Sequence, residues 1–469
     1  MIITRKTRFN SANRWLNAKP ARVICLTFLG VILAGTFLLA LPAASQSRTS
    51  IGILRALFTA TSATCVTGLV VVDTATHWSI FGKLVIISLI QIGGLGLVTI
   101  TSFFYSFMRR KASLKTLVIA QESTANFGFS DVLRLVRKIM IITFSVEVAG
   151  GIIFATRFIP QYGFIRGLGI SFFHSISSFC NAGFDIYGEL KGPFSSLASF
   201  NDDPVVILTT GLLIVIGGLG FVVWSDLIDY NKNRKLNFHS KIILILTGSL
   251  ILAGTLFFLL AENGNRSSAS SLGSLPAWQR PLAALFQSIT PRTAGFNSID
   301  QTTLTDSSKF MTTVLMFIGA APGSTGGGIK ISTFAIIAAT IISDIRGQDD
   351  ILMFRHRLPR ETFTRAFAIM GLALTIVMSA TMLLTFLESR AIIAGRFGFL
   401  DLLFESTSAF ATVGLSSAGT PGLQPASWVV LIPVMYLGRV GPASFALSLA
   451  MMKSSKPDLV YPEGRTLVG

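Results

Sequence analysis

Eight apolar runs decide what this chain can become, because each is about as long as a bilayer's hydrocarbon core is thick. That core needs about 20 helical residues, and such runs lie over 22–42, 79–106, 136–158, 204–229, 241–262, 309–343, 365–388 and 427–451. With 51% hydrophobic and 13% charged residues and a mean hydropathy of +0.66, the chain falls outside the soluble class. The net charge of +17 does not indicate nucleic acid, since the basic residues sit in short loops between apolar runs rather than on one face. Cys25, Cys65 and Cys180 form no CxxC pair and have no histidines at zinc spacing, so no disulfide framework or metal centre is expected. The basic N-terminus and the Leu41–Ser45 stretch imitate a signal peptide. The run over 23–41 nevertheless exceeds the about 7–15 residues of a signal core and reads as a retained span.

Charge assigns the sides. Arg109, Arg110, Lys111 and Lys115, then Lys232, Arg234 and Lys235, then Arg346, Arg355, Arg357, Arg360 and Arg365 fall in loops on the side of the basic N-terminus. Positive loops stay inside, so both termini are expected to be cytoplasmic in a multi-pass protein of the cell (inner) membrane. Between the two runs of each pair lies a shorter half-apolar stretch, at 51–63, 165–178, 280–290 and 398–410. Each reads as a re-entrant helix followed by irregular backbone, which at membrane depth must line a watery cavity.

A repeat organises these elements. After each re-entrant stretch comes a motif ending in glycine: Thr64-Cys-Val-Thr-Gly68, Phe179-Cys-Asn-Ala-Gly183, Pro291-Arg-Thr-Ala-Gly295 and Phe410-Ala-Thr-Val-Gly414. From Gly68 to Gly183 is 115 residues, from Gly183 to Gly295 112, and from Gly295 to Gly414 119. A second landmark keeps step: Ile92-Gly-Gly-Leu-Gly96, Ile216-Gly-Gly-Leu-Gly220, Ile318-Gly-Ala-Ala-Pro322 and Leu437-Gly-Arg-Val-Gly441. The expected architecture is an all-α integral membrane protein with eight transmembrane helices. Four M1–pore helix–M2 repeats, over 22–116, 117–235, 236–350 and 351–452, surround a pseudo-fourfold central pore. A basic tail, 1–21, precedes them and a tail over 453–469 follows, both cytoplasmic. Two spans per unit give all four the same orientation, unlike inverted-repeat carriers.

Four loops of backbone carbonyls around an axis can replace the water of a cation without the grip of carboxylates. The expected filter comprises Thr64, Cys65, Val66, Thr67 and Gly68; Cys180, Asn181, Ala182 and Gly183; Thr293, Ala294 and Gly295; and Ala411, Thr412, Val413 and Gly414, with K+ on their backbone carbonyls. Glycine is needed where the backbone turns its oxygens to the axis in conformations that a side chain disfavours.

The stretches Phe179–Phe184, Thr293-Ala-Gly-Phe-Asn297, Gly323-Ser-Thr-Gly-Gly-Gly-Ile-Lys330 and Gly438-Arg-Val-Gly-Pro442 resemble the signatures of the Trk/Ktr/HKT superfamily of cation transporters. The resemblance covers essentially the whole chain, and the short N-terminal tail is similar to that of the Ktr-type subunit. It implies K+ as the transported ion, since plant-type relatives that admit Na+ tend to carry serine at the first filter glycine. It also implies a homodimer docked on a cytosolic ring of nucleotide-binding subunits, so that ATP or ADP acts only through that partner. Na+ stays open as a coupled ion, and no covalently bound cofactor is expected.

The segment Gly323, Ser324, Thr325, Gly326, Gly327, Gly328 with Lys330 falls short of a phosphate-binding loop, because no Ser or Thr follows the lysine directly and no strand precedes it. Each glycine costs about 1 kcal/mol in helix and Pro322 about 3, so helix is not expected across 322–328. The segment is either a passive kink or, as the resemblance implies, a gate under the filter. Arg439 replaces the glycine of the aligned repeats, and a membrane arginine is functional by default. Its alternatives are a gate latch or a structural ion pair with a carboxylate such as Glu147. Arg292 is expected to brace its loop from behind. Asp73, Asp185 and Asp300 either gather cations at the outer mouth or are solvated loop acids, and none of His77, His174, His239 and His356 has a spacing that suggests a role. Two other functions fit a polytopic chain, a secondary transporter of another solute and a multi-span membrane enzyme. Neither the polar substrate groups of the first nor the clustered Asp, His or Ser of the second is present in the motifs.

Overall fold

The computed structural model describes residues 20–96, 129–348, 350–354 and 356–441. The basic N-terminal tail, the loop with Arg109, Arg110, Lys111 and Lys115, Arg355, Pro442, the C-terminal tail and the second halves of the runs 79–106 and 427–451 lie outside the described residues.

The chain is mostly helical. Its principal helices are α1 Pro20–Ala40, α2 Ile53–Thr64, α3 Ile80–Leu95, α4 Phe129–Tyr162, α5 Phe164–Phe179, α6 Pro204–Gly218 and α7 Phe221–Asn233. They continue with α8 Phe238–Glu262, α9 Arg280–Ile289, α10 Asp306–Phe317, α11 Ile331–Ile345, α12 Arg360–Leu387, α13 Phe399–Ala411 and α14 Pro425–Val440. An antiparallel hairpin that the sequence did not announce, Ile351–Met353 with His356–Leu358, sits in the basic connection before α12. Helices α4, α8 and α12 are long and apolar enough to cross a bilayer alone. They and α1 present bare apolar side chains outward, among them Phe37, Leu260 and Phe386, as helices solvated by lipid do.

Helix starts follow from local chemistry. Ser79 accepts from the N–H of Gly82, Asp203 from those of Val205 and Val206, and Thr305 from that of Ser308, each cap worth about 1 kcal/mol.

The run over 204–229, expected as one span, is instead α6 and α7 with a 98° bend between them. The physical cause is Gly220, at φ +88°, where a methyl would stand 2.7 Å from the Pro322 oxygen while the N–H of Phe221 donates to the Gly323 oxygen at 2.9 Å. The run over 309–343 is likewise two helices, α10 and α11, and the break between them extends beyond the expected 322–328 to both sides.

Helices α2, α5, α9 and α13 pack inside the others. Helix α3 touches α5, α6 touches α9, α10 touches α13, and α14 returns to α2, so the contacts close on themselves. Tyr436 Oη on α14 donates to the Cys25 oxygen on α1 at 2.7 Å, tying the end of the described chain to its start. The apolar core is spread between these helices rather than gathered at one centre, with Phe58, Phe179, Phe286 and Phe410 almost fully buried. His174 is a core residue, bonded through Nε2 to Thr210 and ringed by Phe154, Tyr187 and Phe296 at 4.8–5.1 Å.

Candidate functional site

At the C-terminal ends of α2, α5 and α13 the backbone leaves the helix in the same way, and at that of α9 by a bond one residue shorter. The N–H of Thr67 returns to the Ser62 oxygen, that of Ala182 to Ser177 and that of Val413 to Ser408, while that of Ala294 returns to Thr290. Hydroxyls then hold the outgoing backbone: Ser62 and Ser408 accept the N–H groups of Gly68 and Gly414, and Ser177 and Thr290 donate to the oxygens of Phe184 and Phe296. In all four loops the glycine has positive φ, and so does the residue two before it: Val66, Asn181, Thr293 and Thr412. Left-handed backbone at residues other than glycine costs about 1–3 kcal/mol, so four such residues in register mark an arrangement that the surroundings enforce.

The four glycines meet in a ring. A methyl on Gly68 would stand 2.6 Å from the Ala182 oxygen, and one on Gly183 2.9 Å from the Ala294 oxygen. On Gly295 it would meet the Val413 oxygen and on Gly414 the Thr67 oxygen, both nearer still. Each glycine thus faces the peptide oxygen just before the next, and the fourth returns to the first. The helix ends behind them need glycine too, since methyls on Gly93, Gly217 and Gly438 would strike the oxygens of Thr64, Phe179 and Phe410. In the third unit Gly319 faces the 327–329 backbone instead.

That backbone belongs to the loop between α10 and α11, which lies against the filter motifs. Gly326 packs on Thr293 and Gly327 on Thr412, at approaches that leave no room for side chains, and Gly328, at φ +67°, lies against Ala411. Thr325 donates through Oγ1 to the Phe179 oxygen at 3.1 Å, and Ser324 Oγ closes on the Ala321 oxygen at 2.6 Å. Among the described residues, Lys330 and Arg439 hold its carbonyls. Lys330 Nζ donates to the oxygens of Gly326 at 2.7 Å and Gly327 at 3.4 Å. Arg439 donates to the Thr325 oxygen from Nη1 and to the oxygens of Gly93 and Gly94 from Nη2. The ion pair with Glu147 does not form: Glu147 accepts from Gln91 Nε2 at 3.0 Å. Arg292 binds the Thr247 oxygen and hydroxyl on α8, behind its own loop.

The glycine ring opens into a depression of about 760 Å³ lined by Asp73, Asp185 and Asp300. Their carboxylates differ. Asp73 accepts from the N–H and Oγ1 of Thr76 and from the N–H of Phe194, so it pins the 192–195 loop. Asp300 accepts from the N–H and hydroxyl of Thr302. Asp185 accepts one N–H, from Tyr187, and burial pushes its carboxyl up to about 7, with the Asp73 charge adding to the rise.

Sequence reasoning passed over the hinge at Gly220, although a signal was present: Gly96, Gly220 and Gly441 end the second landmark in step, and all three have φ between +77° and +90°. It also passed over Gln91, which nothing in its surroundings distinguishes from a lipid-facing polar residue.

The chain matches the TrkH family, described as cation transport protein, over residues 18–457. It belongs to that family of cation transporters. It is 36% identical to "Ktr system potassium uptake protein B" of Bacillus subtilis (strain 168), over 97% of this chain and 98% of the relative. It is 39% identical to the protein of the same description in Vibrio alginolyticus, over 96% and 94%. To "Potassium/sodium uptake protein NtpJ" of Enterococcus hirae it is 34% identical, over 96% and 97%. The solved potassium transporter TrkH of Vibrio parahaemolyticus shares the fold, with a TM-score of 0.68 at 16% identity over 97% of this chain and 87% of that one. A TrkH-family chain is a transporter and not an enzyme, in keeping with the glycines and backbone oxygens that make up the site.

Proposed function

We propose that this chain is the ion-translocating membrane subunit of a potassium uptake system of the Ktr type. Eight spans in four units surround a pseudo-fourfold pore, the ring of peptide oxygens around Gly68, Gly183, Gly295 and Gly414 selects K+, and the Thr325–Gly328 segment is the gate. The single observation that carries the reading is the closure of that ring, in which every glycine faces the oxygen before the next. Backbone oxygens at four symmetric positions suit a monovalent ion that must shed and regain water quickly. The acidic depression raises the local cation concentration above the ring, and Arg439, fixed on the gate carbonyls, opposes ions leaving it.

Both termini face the cytoplasm of the cell (inner) membrane in this reading. The working form is a homodimer, and a cytosolic nucleotide-binding ring moves the gate. Na+ enters as the second ion to assay, in view of the name carried by the Enterococcus hirae relative. Expression in a bacterium stripped of its own K+ uptake tests the proposal. Growth at low K+ should be restored, more fully with the regulatory subunit present, and failure with the protein correctly inserted contradicts it.

A further inference from the structure

Behind the second loop lies a buried carboxylate that this scheme does not use. Glu147, on α4, is 3% exposed and has no ion pair among the described residues. An acid so placed is costly unless donors meet it, and Gln91 Nε2 on α3 does so, at 3.0 and 3.3 Å from its two oxygens. The Cys180 thiol, in the filter motif, lies 3.8 Å from Gln91 Oε1 and 3.9 Å from Glu147 Oε1. Gly94 leaves room for it, since a methyl there would stand 2.7 Å from the sulfur. The backbone of the same glutamate takes a second hold: Ser175 Oγ on α5 donates to the Glu147 oxygen at 2.6 Å, one turn before the loop begins.

We propose that Glu147, acting with Gln91, is a positioning residue for ion selectivity, fixing Cys180 and through it the distance between the first and second filter loops. This rests on the filter reading above. Gln91 belongs to the first unit and Cys180 to the second, and the same two units meet where Gly68 faces the Ala182 oxygen. The cluster is therefore a brace across that joint. It acts through shape, because its hydrogen bonds among the described residues join α3, α4, α5 and the thiol and none of them goes to an oxygen that faces the ring.

Tracer competition between K+ and Na+ on purified protein in liposomes tests the inference. Glu147→Ala should lower the K+ over Na+ ratio roughly tenfold, the scale of loss when a group that orients a ligand is removed. Glu147→Gln keeps the shape and an acceptor for Gln91 and should keep the parent's ratio. Gln91→Ala should behave as Glu147→Ala does, and it decides the matter if that variant does not assemble. A parent-like ratio in Gln91→Ala overturns the inference, as does Glu147→Gln falling as far as Glu147→Ala, which would make charge and not position the active property. Gly183→Ser in the same assay separates the two claims. A changed ratio there beside a parent-like Gln91→Ala removes only the brace, whereas an unchanged ratio in Gly183→Ser removes the filter reading itself.

Discussion

Arg439 concentrates more of the proposed mechanism than any other side chain. Its guanidinium reaches carbonyls on two segments, Thr325 of the gate loop and Gly93 and Gly94 of α3, and bonds from a charged donor are worth about 1.5–3 kcal/mol each. Arg439→Ala should therefore free the loop and remove a positive charge from the exit, raising K+ flux by about tenfold or more, the equivalent of ~1.4 kcal/mol. Arg439→Lys keeps the charge but loses the planar fork, and its flux should fall between the two. Liposome flux of the three proteins gives the order; an Arg439→Ala protein no faster than the parent contradicts the latch. Asp185 offers a pH test. Its folded-state value, about 7, lies above the ordinary 3.8, so the proton is held across that interval and its stabilising contribution fades as pH rises through about 7. The charge at the mouth appears over the same range. The K+ concentration for half-maximal uptake should rise as outside pH falls through about 7, and Asp185→Asn should flatten that dependence. The glycines were legible because their phase repeats. A bond from Arg439 to a carbonyl of the 322–328 loop was legible too, but its reach to Gly93 and Gly94 was not, because that depends on how the end of α3 packs against α14.

Among the elements, the segment between α10 and α11 makes the sharpest prediction. It fills the space under the loops with residues that have little or no side chain, Gly326 against Thr293 and Gly327 against Thr412. Deleting Thr325 to Gly328 should raise basal flux without loss of folded protein, measured by flux per molecule after size-exclusion chromatography; lost uptake in a well-folded variant would mark a passive kink. The hinge between α6 and α7 is the neighbouring case. Gly220→Ala puts a methyl 2.7 Å from the Pro322 oxygen at φ +88° and ψ 145°, a backbone that glycine alone adopts readily, at a cost of about 1–3 kcal/mol, and thermal unfolding in detergent should show a lowered midpoint. The sequence located α1, α4, α8 and α12 well, because runs of apolar residues of bilayer length have few alternatives. It read straight through the bend at Gly220, since an apolar run has the same composition whether straight or folded. The hairpin at 351–358 escaped for the opposite reason: two three-residue strands are too short for an alternating pattern to register.

At the scale of the whole molecule, the contacts from α3 to α5, α6 to α9, α10 to α13 and α14 to α2 close a circle, and the glycine ring closes inside it. The near-even spacing of the motifs along the chain, 115, 112 and 119 residues, is the sequence's argument for four similar units. Only the fold tells that each unit contributes its second helix to the neighbour's loop, so a change in one joint should be felt across the ring. The proposed transport stands or falls with the four loops acting as one K+-selective filter. Tracer uptake by reconstituted Gly68→Ser reads that property as a K+ over Na+ ratio, because the added side chain must push aside the Ala182 oxygen 2.6 Å from the methyl position. A single shared filter requires a folded variant whose preference for K+ falls by about tenfold or more, ~1.4 kcal/mol of lost discrimination. A correctly folded variant that keeps the parent's ratio would contradict it.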